Sequence, residues 1–321
     1  MIKISIIIPI YNAEKHLDRC LKSVLKATSR LQEAYDSASA VPGQVAEILA
    51  VDNVSRDDSA KILARWAKKY PSLVKVLTCK TPGAGAVRNY AVRQTEGEYI
   101  WFIDADDEIT EDSAVKLVKE ADETAADFVM LGMRRIYPDG HTDTVHAFDA
   151  TRPDFRSRFI RSELGPVQVM IRRKWYLEHD FRFIEGRIHE DMEMMPALIL
   201  YTDKFSAIDE PFYLYYQNPD SVLHKTKWDA HYFDIFPALE GLFKRFEAAE
   251  AVEQYHDELE WFFIWNLLMD SAYYFKKFPE GRKGLKRSRR MLRRYFPRWW
   301  RNKFFKNTNL KTKIKIIMNY Y

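Results

Sequence analysis

The chain has 321 residues, 47% hydrophobic and 14% aromatic, which excludes a mainly disordered protein and allows one main domain with a smaller one appended. Its two cysteines, Cys20 and Cys79, lie in apolar segments, which argues against a disulfide framework and favours a reducing compartment. No apolar run reaches the roughly 20 residues of a membrane-spanning helix, and the opening MIKISIIIPIYN has the pattern of a strand and turn, so we expect a cytoplasmic protein, soluble or peripheral to a membrane.

Charge is distributed unevenly along the chain. The net charge is +4, but residues 281–321 contain 15 Lys and Arg and no Asp or Glu. Removing those 15 charges from +4 leaves residues 1–280 with a net charge of −11. A basic, aromatic-rich tail on an acidic body indicates that one end of the molecule meets a polyanion, either a membrane or a nucleic acid.

Strand and helix patterns alternate through the first 135 residues. Apolar runs predict strands over 2–9, 45–51, 74–79, 99–103 and 128–133. Amphipathic stretches of helical period lie between them, over 15–26, 58–69, 85–94 and 111–122. This order implies right-handed crossovers and a mostly parallel sheet covered by helices, so the chain is predicted to be of the α/β class.

Two stretches depart from this alternation. Residues 29–44 are polar and too long for an ordinary connection, so they are predicted to form a surface excursion. From about residue 225 the strand patterns stop, and long helical periodicity with many aromatic residues predicts a helical subdomain.

Four aspartates follow predicted strands. Asp52 follows EILAV, and Asp104, Asp106 and Asp107 follow YIWFI. The carboxyl ends of parallel strands meet at one edge of the sheet, where ligands bind. Carboxylates gathered there repel each other unless a cation lies among them, and Mg²⁺ or Mn²⁺ with oxygen ligands meets that need. The alternative is that each aspartate is only a turn or cap residue, which suits a lone Asp better than the spaced pair.

A glycine-rich segment, PGAGAVRN over 82–89, opens the third predicted helix. Backbone amides at a helix N-terminus, beginning at Gly83, together with Arg88 one turn in, make an anion site suited to a diphosphate. The alternative is a loop that merely requires flexible glycines.

Taken together, these motifs resemble those of the GT-A fold glycosyltransferases of family 2, which use nucleotide-diphosphate sugars and invert the anomeric centre. The resemblance covers residues 3 to about 112, in SIIIPIYNAEKHLDRCLKSVL, AVDNVSRDDS and GAGAVRNYAVRQTEGEYIWFIDADDEI. It implies a GT-A catalytic domain over 1–224, with a donor and metal half (1–112) and an acceptor half (113–224). Residues 225–321 remain as a helical region with a basic amphipathic tail.

The resemblance implies a nucleobase pocket formed by Pro9, Tyr11 and Asp52, in which Asp52 accepts a hydrogen bond from a base nitrogen. Uracil is the usual base in the family. One departure is Asn53-Val54, where the family more often has Asp-Gly, so the turn after Asp52 is expected to differ.

The resemblance also implies the diphosphate and metal contacts. Arg88 and Asp104 are expected to contact ribose or diphosphate, beside the amides at Gly83. Asp106 is expected to bind the Mg²⁺ or Mn²⁺ ion that bridges the two phosphates, with Asp107 as a further candidate.

A second carboxylate motif, His189-Glu190-Asp191, precedes an apolar helix predicted over 192–200. The family usually has a Glu-Asp pair here, and the resemblance implies that Asp191 is the general base. Without that resemblance, a carboxylate at a helix start is more often a simple cap.

Further candidates lie downstream and upstream of this motif. In the stretch YLYYQNPDSVLHK, over 213–225, His224 or Lys225 could touch the phosphates or the metal, although a lone His is more often an ordinary residue. Trp175 and Tyr176 could form part of an acceptor wall, although aromatic residues there are more often packing.

The tail over 282–306 interleaves cations with six aromatic residues, Tyr295, Phe296, Trp299, Trp300, Phe304 and Phe305. Such a segment can lie in a membrane interface, with its rings at headgroup level and its cations on anionic lipid. It is similar to tails of bacterial transferases that act on lipid-linked saccharides. The alternatives are a helix packed on the protein through its aromatics and, lower in rank, single-stranded nucleic acid binding, for which no recognised module is present.

The sequence therefore predicts an inverting transferase that moves a sugar, most simply from a UDP-sugar, to a hydroxyl of a lipid-linked or surface saccharide at the inner face of a membrane. A nucleotidyl- or phosphotransferase on a similar parallel sheet would be favoured by a Gly-x-x-x-x-Gly-Lys loop, which is absent from the sequence. A carboxylate-pair glycosidase would not need diphosphate-binding features. The remaining alternative is a catalytically inactive protein of the same fold that binds membrane or nucleic acid through its tail.

Overall fold

The computed structural model of the chain describes residues 1–38, 43–217 and 228–321. Its contacts define two compact units. The first comprises Met1–Arg152, Gly165–Gly186 and Thr202–Pro219, and the second comprises Pro153–Leu164, Arg187–Tyr201 and Asp220–Tyr321. The prediction placed a single boundary between the two domains at residue 224. The second unit instead also includes two segments from earlier in the chain.

Four parallel strands form one half of the sheet in the first unit: β1 (Ile4–Ile10), β2 (Ala46–Asp52), β3 (Val74–Thr78) and β4 (Tyr99–Phe102). β1 lies between β2 and β4, with Ile10 opposite Asp52 and Ile7 opposite Phe102. β2 and β4 are buried along their whole length, because near-continuous apolar sequence supplies both faces of a covered sheet. All four strands therefore end at the same edge.

The other half of the sheet is mixed and consists of β5 (Glu108–Ile109), β6 (Phe128–Ile136), β7 (Thr142–Val145), β8 (Val169–Arg172) and β9 (Phe205–Tyr216). In the described residues the sheet has nine strands, ordered β3-β2-β1-β4-β8-β6-β9-β5, with β7 paired to β6. β8 runs antiparallel to β4 and β6, whereas β6 and β9 are parallel. The predicted α/β class with a mostly parallel sheet is confirmed, and the antiparallel strands are additions to it.

The first unit holds five of the helices, α1 (Leu17–Ala38), α2 (Ser59–Lys69), α3 (Ala84–Val92), α4 (Ser113–Thr124) and α6 (Arg173–Glu178), and α5 (Phe155–Arg161) belongs to the second. The prediction of a surface excursion from residue 29 is wrong as far as residue 38, because α1 continues that far. Ala27 and Leu31 are buried and Tyr35 packs against the same core, so one apolar stripe at helical spacing runs through the polar segment. Residues 39–42 lie outside the described residues.

In the described residues of the second unit, the regular secondary structure consists of helices, as predicted for the C-terminal region. Its helices are α5, α7 (Ile235–Ala248), α8 (His256–Trp265), α9 (Ser271–Lys277), α10 (Arg282–Tyr295), α11 (Lys303–Asn307) and α12 (Leu310–Tyr320), with a π-helical turn, Asn266–Asp270, joining α8 to α9. The predicted helix over 192–200 is instead a 3₁₀ helix, Met195–Leu200, because Pro196 lacks the amide hydrogen that a continuing α-helix requires. None of the helices in the described ranges is long and apolar enough to cross a membrane.

The aromatic residues of the tail contribute to the core of the second unit. Phe296, Trp299 and Phe305 are 1%, 3% and 7% exposed. The Phe296 ring packs on Phe263 of α8 at 5.1 Å between centroids. The expectation that these three rings lie at headgroup level is wrong, because they are interior. Of the six tail aromatics, only Trp300 is exposed, with 51% of its surface accessible.

Gly97, just before β4, provides a test of the strand packing. A Cβ atom placed there would lie 2.5 Å from Ser5 Oγ and 2.6 Å from Ser5 N. The Gly97→Ala variant should therefore lose about 1–3 kcal/mol of unfolding free energy, as expected for overpacking. Gly43→Ala is the control, because no atom lies within 4 Å of its added carbon. Urea unfolding measures both, and equal midpoints would contradict the assigned packing.

Candidate active site

The ends of β1 and β2 bring the predicted nucleobase residues to one edge of the sheet. Pro9 is paired with Val51, and Asp52 follows directly on the neighbouring strand. Tyr11, just past β1, is 59% exposed, whereas Asp52 is 9% exposed. The two Asp52 carboxylate oxygens accept from the Ser55 amide at 3.2 and 3.3 Å, which fixes the carboxylate in place. An exposed ring and an oriented acceptor thus lie at adjacent strand ends.

The unusual Asn53-Val54 pair builds a connection between two loops. The Asn53 side-chain amide donates to the Cys79 and Thr81 carbonyls at 2.7 and 2.8 Å, and its oxygen accepts from the Gly83 amide at 3.0 Å. Val54 has φ of 58°, a left-handed conformation in which a β-branched residue is rare and glycine is favoured. Asn53 therefore ties the turn after Asp52 to the glycine-rich loop.

The glycine-rich loop begins α3 as the sequence predicts. Gly83 has φ of 103°, which side-chain-bearing residues rarely adopt, and its Cα faces the backbone of Gly186. Arg88, one turn into the helix, is 4% exposed and donates to an Asp104 carboxylate oxygen at 2.8 Å. Its guanidinium also lies 5.3 Å from the centroid of the Phe183 ring. Arg88 and Asp104, both predicted to contact ribose or diphosphate, are therefore brought together in this structure as an ion pair.

The segment after β4 is fixed by hydrogen bonds to β9. The Asp104 amide donates to the Tyr213 hydroxyl at 3.1 Å, and that hydroxyl donates to Asp107 at 2.6 Å. The other Asp107 oxygen accepts from the Tyr216 amide at 2.8 Å. Asp107 is fully buried, so in this structure its carboxyl holds the loop in place through these internal hydrogen bonds. Asp104 and Asp106 are the partly exposed carboxylates of the segment.

The electrostatics of this segment favour a bound cation. Burial, together with the charge of Asp104, raises the pKa of Asp106 above its ordinary value. Burial and the charges of Asp104 and Asp106 raise the pKa of Asp107 to about 8. Such shifts express uncompensated negative charge, which a divalent ion relieves. Two partly exposed carboxylates on one short segment fit Mg²⁺ or Mn²⁺, which take oxygen ligands and keep several waters.

Arg19 of α1 is a residue of this site that sequence reasoning missed. It donates to the Asp106 carbonyl at 2.5 Å, and its Nε lies 3.0 Å from a Glu108 carboxylate oxygen. Its guanidinium also stacks over the Tyr216 ring at 3.6 Å. A single arginine in an amphipathic helix carries no sequence signal for this role, because three separate segments have to meet around it.

The predicted general base, Asp191, belongs to the second unit. Its carbonyl accepts from the Met194 and Met195 amides at 3.0 and 2.9 Å, so it forms the turn that precedes the 3₁₀ helix. Two further carboxyls of that unit lie near it. Burial, a hydrogen bond with Asp270 and the charge of Asp191 together raise the pKa of Glu163. Asp191 therefore lies within electrostatic reach of an acidic pair, Glu163 and Asp270.

The remaining sequence candidates have different outcomes. His224 and Lys225 lie outside the described residues. Trp175 and Tyr176 are 6% and 2% exposed, and the Trp175 ring packs on Phe181 at 4.9 Å. Their role in this structure is packing, which is the alternative that the sequence left open.

The parallel sheet, the glycine loop and the Asp-x-Asp segment at its carboxyl edge together define a protein of the glycosyltransferase class. The sequence profile described as "Glycosyl transferase family 2" matches residues 5–179. The chain therefore belongs to glycosyl transferase family 2.

Named glycosyltransferases are similar in sequence to part of the chain. It is 33% identical over 153 residues to the poly(ribitol-phosphate) beta-glucosyltransferase of Bacillus spizizenii, covering 47% of this chain and 22% of that protein. It is 27% identical over 219 residues to the poly(ribitol-phosphate) beta-N-acetylglucosaminyltransferase TarS of Staphylococcus aureus, covering 67% of this chain and 35% of the relative. The chain thus spans about a fifth to a third of the length of these relatives.

Solved structures share the fold. Residues 1–349 of S. aureus TarS superpose with a TM-score of 0.70 and 21% identity, covering 99% of this chain and 89% of the other. The same protein in complex with UDP-GlcNAc gives a TM-score of 0.58 and 19% identity, with coverage of 99% and 79%. A mannosyltransferase of Pyrobaculum calidifontis with GDP-Man and Mn²⁺ gives 0.52 and 15% identity, with coverage of 99% and 85%.

The Tyr213 hydroxyl provides a test of the loop geometry. The Tyr213→Phe variant loses the donor to Asp107 and the acceptor for the Asp104 amide, both at a buried position. We expect it to lower the free energy of unfolding by about 1–3 kcal/mol, because a buried carboxyl is left short of a donor. Thermal or urea unfolding gives the value.

Tyr35→Phe is the matched control for this experiment. It removes a hydroxyl that bonds the exposed Asp122 carboxylate at 3.2 Å, so water can replace the lost partner. A loss in the Tyr213 variant no larger than in this control would show that the hydroxyl does not hold the loop.

Proposed function

We propose that this chain transfers a sugar from a nucleoside-diphosphate sugar, most simply a UDP-sugar, to an acceptor hydroxyl with inversion at the anomeric carbon. One observation carries the proposal. At a single edge of the sheet, the Arg88–Asp104 pair joins the amide end of α3 to the Asp-x-Asp segment. That combination supplies groups for both the anionic and the cationic parts of a metal-bound nucleoside diphosphate.

Base recognition is assigned to the ends of β1 and β2. The oriented Asp52 carboxylate would accept from the uracil ring nitrogen, and the exposed Tyr11 ring beside Pro9 would pack on the base. Structures of the S. aureus relative with UDP and with UDP-GlcNAc support uracil. The altered Asn53-Val54 turn lies next to Asp52, so the choice of base requires a direct comparison of nucleotides.

The metal is assigned to Asp106, with Asp104 beside it and His224 as a further proposed ligand. The P. calidifontis structure with Mn²⁺ supports a divalent ion for this fold. When bound, Mg²⁺ or Mn²⁺ would stabilise the negative charge of the departing nucleoside diphosphate. Arg88 and the amides at Gly83 would hold the phosphate oxygens and so orient the donor.

The acceptor step requires only a base from the chain. Asp191 would take the proton from the acceptor hydroxyl while that oxygen forms a bond to the anomeric carbon. The bond from the anomeric carbon to the diphosphate oxygen breaks on the opposite side, and the electron pair leaves with the diphosphate. No nucleophile from the protein is needed, and the configuration inverts.

The acceptor is assigned to a surface saccharide or a related polyol polymer. Relatives named as poly(ribitol-phosphate) transferases support a polymeric acceptor that carries free hydroxyls. We propose that this acceptor is lipid-linked and that the chain works at the inner face of a membrane through residues 281–321. Nucleic acid is not assigned as a partner.

Donor and metal binding are tested together by calorimetric titration of UDP, GDP and CMP, each with Mn²⁺ and with EDTA. UDP with Mn²⁺ should bind best, and EDTA or Asp106→Ala should weaken it at least tenfold, about 1.4 kcal/mol. Asp36→Ala, a change at an exposed residue of α1, is the control and should bind as the parent does. If no nucleotide binds in any arm, the donor site is misassigned.

The role of Asp191 is tested by Asp191→Asn, which keeps the shape but not the basicity of the side chain. We expect donor binding to remain and transfer to fall by about a hundredfold or more, because a general base is lost. Asp139→Asn is the control, since that exposed Asp accepts from the His141 amide, as Asn can, and its other contact is with the exposed His141 ring. Normal turnover in the Asp191 variant would remove this residue from the mechanism.

A further inference from the structure

The α12 helix carries a continuous exposed apolar strip. Leu310, Ile314, Ile317 and Met318 are 72%, 49%, 42% and 66% exposed, and Tyr321 just past the helix is 84% exposed. Their spacing from the first residue is four, seven, eight and eleven positions, which at 3.6 residues per turn places all five on one face. We call these five residues the α12 strip.

The opposite face of α12 is anchored in the second unit. Ile316 and Tyr320 are buried, and the Tyr320 ring packs on Trp299 at 4.9 Å. The Asn319 side chain donates to the Leu268 carbonyl at 2.5 Å. Asn309 caps the helix by accepting from the Thr312 amide at 2.9 Å. The helix is thus fixed by its inner face and its cap, which leaves the strip pointing away from the core of its unit.

Cations border the strip on both sides. On the helical wheel, Lys311 and Lys315 flank one edge and Lys313 the other. Residues 281–321 contain no Asp or Glu, so no acidic side chain of the tail offsets these charges. Trp300, whose ring adjoins Trp299 at 6.3 Å, adds an exposed amphipathic aromatic in the same unit.

An aliphatic strip bordered by lysines matches one type of surface better than others. A helix that lies in a membrane interface buries its apolar face at the boundary of headgroups and acyl chains and places its cations on anionic lipid. Single-stranded nucleic acid would instead require aromatic stacking platforms, and four of the five strip residues are aliphatic. Two copies facing each other would set lysine rows against each other.

We propose that α12 docks the chain on an anionic phospholipid membrane, with the α12 strip inserted and Lys311, Lys313 and Lys315 on lipid phosphates. This proposal rests on the proposed function and specifies how the chain would contact the membrane. The α12 strip, and not the buried aromatic residues of the tail, is the apolar surface that contacts lipid. Deleting residues 281–321 would not test this docking, because it would remove Phe296, Trp299 and Phe305 from the core of the second unit.

The test is flotation with vesicles of phosphatidylcholine, with and without about one third phosphatidylglycerol. The full chain should bind only the anionic vesicles. Replacing Ile314 and Ile317 by Ser should weaken that binding at least about tenfold. The control replaces Val76 and Leu177 by Ser, two residues of the first unit that are 38% and 42% exposed, and should bind as the parent does.

A second variant, which combines Lys311→Gln, Lys313→Gln and Lys315→Gln, tests the cations. Its binding to anionic vesicles should fall at least about tenfold and lose most of its salt dependence. UDP titration of every variant reports separately on the donor site, so a failed membrane docking is distinguishable from a failed transferase assignment. Equal vesicle binding by the strip variant and the parent, or no parental binding at all, would overturn the proposal. Vesicle-independent self-association abolished by the Ser changes would assign the strip to a second copy.

Discussion

The geometry of the acidic edge depends on the buried carboxyl of Asp107. Because it accepts from the Tyr213 hydroxyl and the Tyr216 amide, it joins the segment after β4 to the end of β9. The Tyr213 hydroxyl also accepts from the Asp104 amide, and Arg19 holds the Asp106 carbonyl from the other side. A buried carboxyl is costly unless it is hydrogen-bonded, so this network specifies one conformation for the loop. The two partly exposed carboxylates are positioned as a consequence.

Charge balance then separates the roles of neighbouring aspartates. Asp104 is compensated by a cation of the chain itself, the buried Arg88. Asp106 is compensated less well, because burial and the charge of Asp104 raise its pKa by more than the charges of His16 and Arg19 lower it. A divalent ion would supply the positive charge that Asp106 lacks, and the amide end of α3 would bind a diphosphate carried by that ion. The edge is therefore electrostatically suited to a cation and a diphosphate bound together, which is the physical basis of the transferase proposal.

The parallel half of the fold could be predicted from the sequence because each strand is a contiguous apolar run, and the candidates Asp52 and Asp104 lie at or just after the ends of two of these runs. The ion pair between Arg88 and Asp104 was not among the predictions, which assigned both residues to the ribose or diphosphate of the donor. What could not be predicted depends on distant segments. Arg19 acts only because α1 passes beside the loop, and Tyr213 only because β9 pairs there. The register that brings them together leaves no local pattern.

The tail shows the same limit at the level of a whole segment. Its composition, basic and aromatic, was compatible both with a membrane interface and with packing on the protein, because composition does not say which face of a helix is covered. In the structure, aromatic residues of the tail and aliphatic residues of α12 differ in burial. Trp299 and Phe305 fill the core of the second unit, whereas the aliphatic side chains of Leu310, Ile314 and Met318 remain exposed between lysines. Large rings bury much apolar surface each, and these join the many apolar residues of the unit's core. The less bulky strip is left at the surface, where the proposal assigns it to lipid.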